Sequence, residues 1–568
     1  MFSILAGVRG YMDEVAGKVC GMKVLMLDDE TVGIISMVSS QNEILGQDIY
    51  LVERIDAHQE GDMRHLIAVC LIRPTNQNFM LLSQELCSPR YKEYHLFFTN
   101  VVSHSRLEQL ASCDEFELVK QVHEVFADVY AVDHDLFSLN LPSTIRLTDD
   151  RARWTTYEEA ITDRIVEGLL AACIALRMVP AIRYTAAADI TRQVAKKVQA
   201  RLLEERSLFG TVNSSPADES VSVMLIVDRR SDPVSPLLNQ WTYQAMLHEL
   251  LSIDNNRIDM SKVPGIRVEL REIVMSATQD KFFEEHRLSN FGDLGMSIKG
   301  YVEDFQNQTK STTRVESVEE MQRFVDEYPE FRRLSGNVSK HVAVVHELSR
   351  IVEVNGLLEA SQLEQELACS ESRHEHFRAV VDLICGPSIT HLERLRLVML
   401  YALRYEHDSS IAQLKDHLHS QGVGLEQIRL IDQILRYGGS HVRGGDLFHK
   451  KSLFTQVKHT VANSIKGVQN VYTQHKTYLA STVESLCKGR LKESSYPFLE
   501  GCRCDPLPQR LLVFVVGGTT YEEARDVAEL NKPSDGGRER NWKIVLGGTT
   551  IHNSHSFLAD LAQLSHPE

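Results

Sequence analysis

Several clusters in this sequence hold residue types that could do chemistry. Asp228 and Asp232, in DRRSDPVSP, are the acid–base candidates. A general acid and its base must converge on one substrate, and Pro233 and Pro236 prevent these two carboxylates from sharing a helix face. Turn capping, or pairing with Arg229 or Arg230, is the use their setting favours. His374-x-His376 and His417-x-His419 lie in polar helical surroundings, where positions two apart do not face each other. Cys502-Arg-Cys504 has the wrong spacing for a zinc knuckle and no second pair. The loop 436–445, RYGGSHVRGG, could cradle a phosphate, but the lysine and hydroxyl residue of a nucleotide-binding loop do not follow it. The turns GGTTYEEA and GGTTIHN, after apolar runs ending near 516 and 546, invite a dinucleotide reading. Neither is G-x-G-x-x-G, and neither has a ribose-binding acid placed to serve it. No G-x-S-x-G or H-E-x-x-H occurs. The residues therefore predict no catalytic group, no cofactor and no metal. They point to a binding protein, with a nucleotide-dependent enzyme on a doubly wound sheet as the alternative.

The elements that position these residues are organised around 221–251, VSVMLIVDRRSDPVSPLLNQWTYQAMLHELL. Residues 221–227 are apolar apart from Ser222 and rich in β-branched types, which suits a buried strand. Ser235-Pro236 is a helix-start signal, and the apolar positions from Leu237 to Leu251 predict a helix buried on most sides. Upstream, 23–27, 47–52, 66–72 and 93–98 read as strands, with helical stretches at 31–45 and 76–86 between them. That alternation predicts a parallel α/β sheet covered on both faces. Residues 105–126 read as two short helices, because Leu107, Leu110, Val119, Val122 and Phe126 recur at helical spacing. Residues 210–220 read as a linker, which places a domain boundary near 221. Residues 281–354 are helical around a polar interruption at 306–317, and 357–437 and 453–491 are helical as well. The runs 511–516 and 543–546 read as adjacent parallel strands that complete a sheet begun between 129 and 184.

Composition sets the remaining bounds. The 568 residues allow about four domains at roughly 150 residues each. Hydrophobic content of 43% and charge of 24% are those of a globular chain. A net charge of −17 argues against nucleic acid or an anionic membrane surface as the main ligand. The N-terminal MFSILAGVRGYMDEVAG reads as an amphipathic helix without a signal-peptide layout, and the best apolar run, 169–176, stops at Arg177. The ten cysteines are scattered, a usage that fits reduced cytosolic thiols.

The segment DRRSDPVSPLLNQWTYQAM resembles the signature of the SM (Sec/Munc-like) family of syntaxin-binding proteins. QNEILGQDIYLVERID, HLIAVCLIRPT, YPEFRRLSGNVSKHVAVVHELSRIVE, GVQNVYTQHK, KGRLKESSYPFL, VFVVGGTTYEEAR and KIVLGGTTIHNSHSFL agree with it, in the family's order along the chain. One departure is Lys476-Thr477, where the family has a proline.

The resemblance implies an arch-shaped three-domain α/β fold: two parallel-sheet domains and a largely helical inserted third domain. Its divisions would be 1–128 (domain 1), 129–220 with 453–568 (domain 2), 221–355 (domain 3a, strand and helical hairpin) and 356–452 (domain 3b, helical). It implies a pocket for a syntaxin N-terminal peptide at Leu107, Leu110, Val119 and Val122. It implies a SNARE-bundle cleft at Asp28, Glu53, Arg54 and Arg73. It also implies a hairpin that templates the vesicle SNARE, with Pro329 at its hinge and His341 and Val342 on its binding face. The partner would be a syntaxin of the trans-Golgi and endosomal, syntaxin-16-like, type, together with its SNARE complex. The protein would be a cytoplasmic monomer, held on Golgi and endosomal membranes indirectly through that syntaxin. It would promote SNARE assembly and fusion, or, in a plainer alternative, only tether syntaxin as a scaffold.

Overall fold

The computed structural model describes residues 2–57, 61–141, 143–148, 154–209, 221–300, 340–443, 447–448, 472, 474–502, 507–533 and 540–564. The chain divides into two compact units. Residues 1–229, 480–519 and 526–551 form the first, and 230–479, 520–525 and 552–568 the second.

The first unit holds two sheets. One is built from β1 (Lys23–Leu27), β2 (Ile49–Arg54), β3 (Met63–Ile72), β4 (Tyr91–Phe98) and β5 (Val119–Glu124). Its order is β2-β1-β3-β4-β5, and every pairing is parallel. All five residues of β1 are buried, as a strand covered on both faces requires. Lys23 meets that demand by donating its ammonium to the carbonyls of Ala16 and Val19 at 2.7 and 2.6 Å. On one face lie α1 (Ile4–Gly17) and α2 (Asp29–Val38), with the short α3 (Gln41–Leu45) leading into β2. On the other lie α4 (Asn76–Cys87) and α5 (His104–Cys113).

The expected second helix of 105–126 is instead strand β5. Its register shifts between Tyr94/Val119 and His95/Gln121, so Lys120 is an extra, bulged residue. The bulge places Val119 opposite Tyr94 and Val122 opposite Leu96, and both of those partners face the α4/α5 side. A three-residue spacing on one face, the mark of a helix in sequence, is here produced by a strand with one residue too many.

The second sheet takes β6 (Tyr130–Asp133), β7 (Leu136–Ser138), β8 (Ala181–Tyr184) and β9 (Ser222–Asp228). Past β10 (Arg257–Asp259) and β11 (Glu272–Val274), which belong to the other unit, it takes β12 (Arg510–Val516) and β13 (Lys543–Gly548). Its order is β6-β7-β13-β12-β9-β8, parallel except for β6 with β7. The late strands pair directly and complete the sheet, as their spacing predicts. α6 (Thr156–Ala175) and α7 (Asp189–Glu204) share its core. The strand at 221–227 does not open the inserted domain: β9 lies between β12 and β8, and the chain leaves this unit only after Arg229. Six of its seven residues are buried, and only a central position between two parallel neighbours satisfies a strand so apolar.

In the second unit, Ser235–Leu237 is a single 3-10 turn with Pro236 inside it, and the α-helix expected there begins only at Tyr243 (α8, Tyr243–Leu251). Leu238 is extended. The backbone N–H of Asn239 donates to Glu364 at 2.8 Å, which draws the chain straight across the helix Leu357–Cys369 before α8 can start. α9 (Lys281–His286), helical residues 340–354 and the helices Arg373–Cys385, His391–Arg404, Ser410–Ser420 and Leu425–Gly438 complete this unit's main elements. The interruption at 306–317 and Pro329 lie outside the described residues.

Candidate functional site

The face built by α5 and β5 brings the four predicted peptide-pocket residues together in graded exposure. Leu110 is buried in a cluster with Phe79, Leu82 and Leu86, and Leu107 and Val119 pack on its margin. Val122 remains 44% exposed. Asp114 sets the turn between helix and strand: its two carboxylate oxygens accept the N–H groups of Leu118 and Val119, each at 2.9 Å. That turn carries Phe116, 62% exposed, which the periodicity analysis missed. A phenylalanine alone among Cys113, Asp114, Glu115 and Glu117 is a signal that could have found it.

The four cleft candidates separate. Asp28 caps α2, accepting from Thr31 N–H at 2.7 Å, and its other oxygen takes Arg73 N–H and Asn78 Nδ2, both at 2.6 Å. Burial raises its pKa against those hydrogen bonds. In a sheet of this order the crevice between β1 and β3 is where a ligand would sit. Here the protein's own carboxylate fills it. Arg73 is buried too, paired with Asp128 at 2.8 Å, Glu30 at 2.9 Å and Glu167 at 2.5 Å. Burial disfavours its charge, but these three carboxylates outweigh the penalty and raise its pKa. Glu53 is buried and accepts from Tyr91 Oη at 2.7 Å. Only Arg54 reaches solvent, forked against Asp56 and Asp29 at 2.8 Å. In β2, an edge strand, Val52 and Arg54 pair with Leu25 and Leu27 and share a face, and Tyr50, 67% exposed, is the extra residue where the register with β1 shifts. Asp28, Glu53 and Arg73 are therefore buried framework, and Tyr50, Val52 and Arg54 are the residues this strand leaves to solvent.

Of the hairpin candidates, His341 is fully buried. Its Nδ1 lies 2.9 Å from Tyr243 Oη and its Nε2 3.0 Å from Asp280 Oδ2. Burial lowers the His341 pKa against the pull of Asp280. Asp280 would rise on burial, but His341 and Lys340 hold it well below the ordinary carboxylate range. His341 thus fastens the start of this helix to α8 and α9 and leaves no surface to solvent. Val342, one position on, is exposed.

Several of the chemical candidates are consumed internally. Asp232 caps its own turn, accepting from the N–H groups of Val234 and Ser235 at 3.1 and 3.0 Å and from Ser235 Oγ at 2.6 Å. His376 is buried between Ser370 Oγ at 3.0 Å and Tyr405 Oη at 2.8 Å. The glycine-rich loop does cradle an anion, but a resident one. Glu406 takes Ser440 N–H at 2.8 Å, Ser440 Oγ at 2.5 Å and the Arg443 guanidinium at 2.7 Å. The two late turns bond to each other: Thr519 N–H donates to Thr550 at 2.9 Å and Gly517 N–H to Thr549 Oγ1 at 3.2 Å. Gly517 and Gly518, at φ 95° and 87°, supply the left-handed backbone this requires. Two of the backbone donors a phosphate would use there, those of Gly517 and Thr519, are thus already engaged. Among the described residues no three His, Cys, Asp or Glu side chains converge as metal ligands. Cys504 lies outside the described residues.

A profile of the Sec1 family matches residues 23–560. The chain belongs to the Sec1 family. It is 40% identical over 566 residues to vacuolar protein sorting-associated protein 45 of Dictyostelium discoideum, covering 99% of this chain and 98% of that protein. To the protein of that name from Mus musculus it is 44% identical over 544 residues, covering 95% and 92%. Its fold matches a solved structure of the SM protein Vps45 in complex with the Qa SNARE Tlg2, with a TM-score of 0.88 and 43% identity over 98% of this chain and 97% of that one. The mixed α/β architecture with parallel sheets is that of the SM proteins.

Proposed function

We propose that this chain is a syntaxin-binding chaperone of SNARE assembly, working in traffic among the Golgi, endosomes and the vacuole or lysosome. What carries the reading is the apolar α5/β5 face, with Phe116 and Val122 left to solvent, in a chain matching nearly end to end an SM protein solved with a Qa SNARE. The N-terminal peptide of a trans-Golgi or endosomal syntaxin docks on that face. Tyr50, Val52 and Arg54 on the edge of β2 contact its SNARE bundle, and Val342 serves the vesicle SNARE. A prefolded surface lowers the conformational entropy that the disordered SNARE segments still have to lose, so no bond need be made or broken. Among the described residues no helix is long and apolar enough to cross a membrane. Attachment to Golgi and endosomal membranes comes through the syntaxin. The domain divisions 1–128, 129–220 with 453–568, 221–355 and 356–452 belong to this proposal, with the first inserted strand moved back into the second sheet.

One peptide side chain buried on the α5/β5 face contributes about 1.5–3 kcal/mol. Val122→Asp should therefore weaken binding of a syntaxin N-terminal peptide by about tenfold or more. Because Val122 is exposed, the unfolding midpoint should stay unchanged. Isothermal titration against the peptide, with a urea melt of the same variant, checks both; unaltered affinity would remove the pocket from this face. No peptide binding by the parent chain, together with a clear thermal shift from a nucleotide, would favour the enzyme alternative.

A further inference from the structure

His417 does not face His419, two positions on, but it meets a partner on another helix. Its Nδ1 lies 3.7 Å from Cys385 Sγ, within hydrogen-bonding reach of a thiol. Cys385 is the last residue of the helix Arg373–Cys385, and His417 lies in the last turn of Ser410–Ser420. Arg394, buried on His391–Arg404, draws those two helix ends together. One of its terminal nitrogens donates to the Gly386 carbonyl at 2.7 Å, and the other reaches the Gln421 carbonyl at 3.5 Å. Helices end in unsatisfied carbonyls with partial negative charge, and a guanidinium answers both demands at once. Arg394 Nε has no hydrogen-bond partner among the described residues, so this cation meets neutral carbonyls only. Asp382 and Asp416, the nearest acids in sequence, are exposed. The Cys385 thiol is free and exposed, and among the described cysteines it is the one that hydrogen-bonds a histidine.

We propose that Cys385 is a site of reversible thiol modification, with His417 as its proton acceptor and low-molecular-weight disulfides such as glutathione disulfide as its reagents. A nucleophile and a base within hydrogen-bond reach are the two groups such a reaction needs from the protein. The Cys385 sulfur attacks one sulfur of the disulfide while its proton passes to His417 Nδ1. The glutathione disulfide bond breaks, and the departing glutathione thiolate takes up that proton. One mixed disulfide and one glutathione result, with glutathione disulfide as the oxidant, and excess thiol reverses the exchange. The thiolate is the attacking form, so a base at hand separates Cys385 from Cys20, Cys87 and Cys369, which are exposed without a histidine partner. The arrangement also explains why the pair sits where it does: Arg394 holds both helix ends, and its charge offsets the carbonyls that would otherwise oppose a negative sulfur. The chemistry stands whether or not the α5/β5 face binds a syntaxin peptide.

The test incubates the full chain with glutathione disulfide at neutral pH, samples it over time into acid, alkylates the remaining free thiols and maps the peptides by mass without reduction. Cys385 should gain a single glutathione about tenfold faster than Cys20, Cys87 or Cys369, and dithiothreitol should return its free thiol. His417→Gln keeps a polar side chain that takes no proton. It should slow Cys385 by about tenfold and leave the other three rates as they are in the parent chain. A Cys385 that reacts no faster than those three in the parent chain, or a rate at Cys385 that His417→Gln leaves unchanged, would overturn the assignment.

Discussion

Arg396→Ala is expected to destabilise the second unit by about 3–5 kcal/mol, the loss that follows when one partner of a buried ion cluster is removed. Arg396 is fully buried on the helix His391–Arg404. Its Nε donates to the Leu237 carbonyl at 2.8 Å, and the two terminal nitrogens reach Glu249 at 3.1 Å, Glu364 at 3.2 Å and Glu393 at 3.4 Å. Without the guanidinium, three carboxylates would face one another out of water. Trp241 is the tryptophan of this unit, the other two being Trp154 and Trp542. Urea unfolding followed by its fluorescence, in a background with the other two replaced by phenylalanine, reads the effect directly. The same cluster carries a pH signature. Burial, and then the neighbouring Glu393 and Glu249, push the Glu364 pKa up from 4.5 to about 7, against the pull of Arg396. Its folded pKa lies above its unfolded one, so folding is favoured below about pH 4.5 and this contribution is lost as pH rises through about 7. Glu364→Gln should flatten that slope in a pH series of urea melts.

Arg73→Ala should destabilise the first unit by about 3 kcal/mol, and any loss of syntaxin binding should follow its lowered stability. The deletion leaves Asp128, fully buried, with Arg164 at 3.3 Å as its remaining cation, which holds the loss at the lower end of the range. Arg54→Ala makes the contrast. Arg54 is an exposed pair-former, so its removal should leave stability within about 0.5 kcal/mol and reduce only binding of the folded syntaxin bundle. Denaturation and binding measured on both variants separate framework from contact surface.

The contrast also shows what could be read without coordinates. β1, β3, β9, β12 and β13 were legible because a buried parallel strand is a near-continuous apolar run, and that property is local. β5 was not, because its bulge gives a strand the spacing of a helix. The helix start at Ser235 failed for a similar reason: the local signal was sound, but Glu364, far along the chain, captures the backbone of Asn239 first. Asp28, Glu53 and Arg73 sit at strand ends, where charge is usually solvated, and no local pattern announces the partners that bury them. Val122 was named through family resemblance, whereas Phe116 and Tyr50 emerged only once exposure was known.

The placement of β9 bears on how this polypeptide matures. Its neighbour β12 is translated some 280 residues later, so a nascent chain emerging from the ribosome holds a seven-residue apolar ribbon with one flank bare until β12 is made. Unpaired ribbons of that kind recruit other copies. A premature stop between Asp228 and Arg510 would thus release a sticky fragment instead of a shortened but serviceable one, and holdase chaperones should be in demand until β12 has emerged.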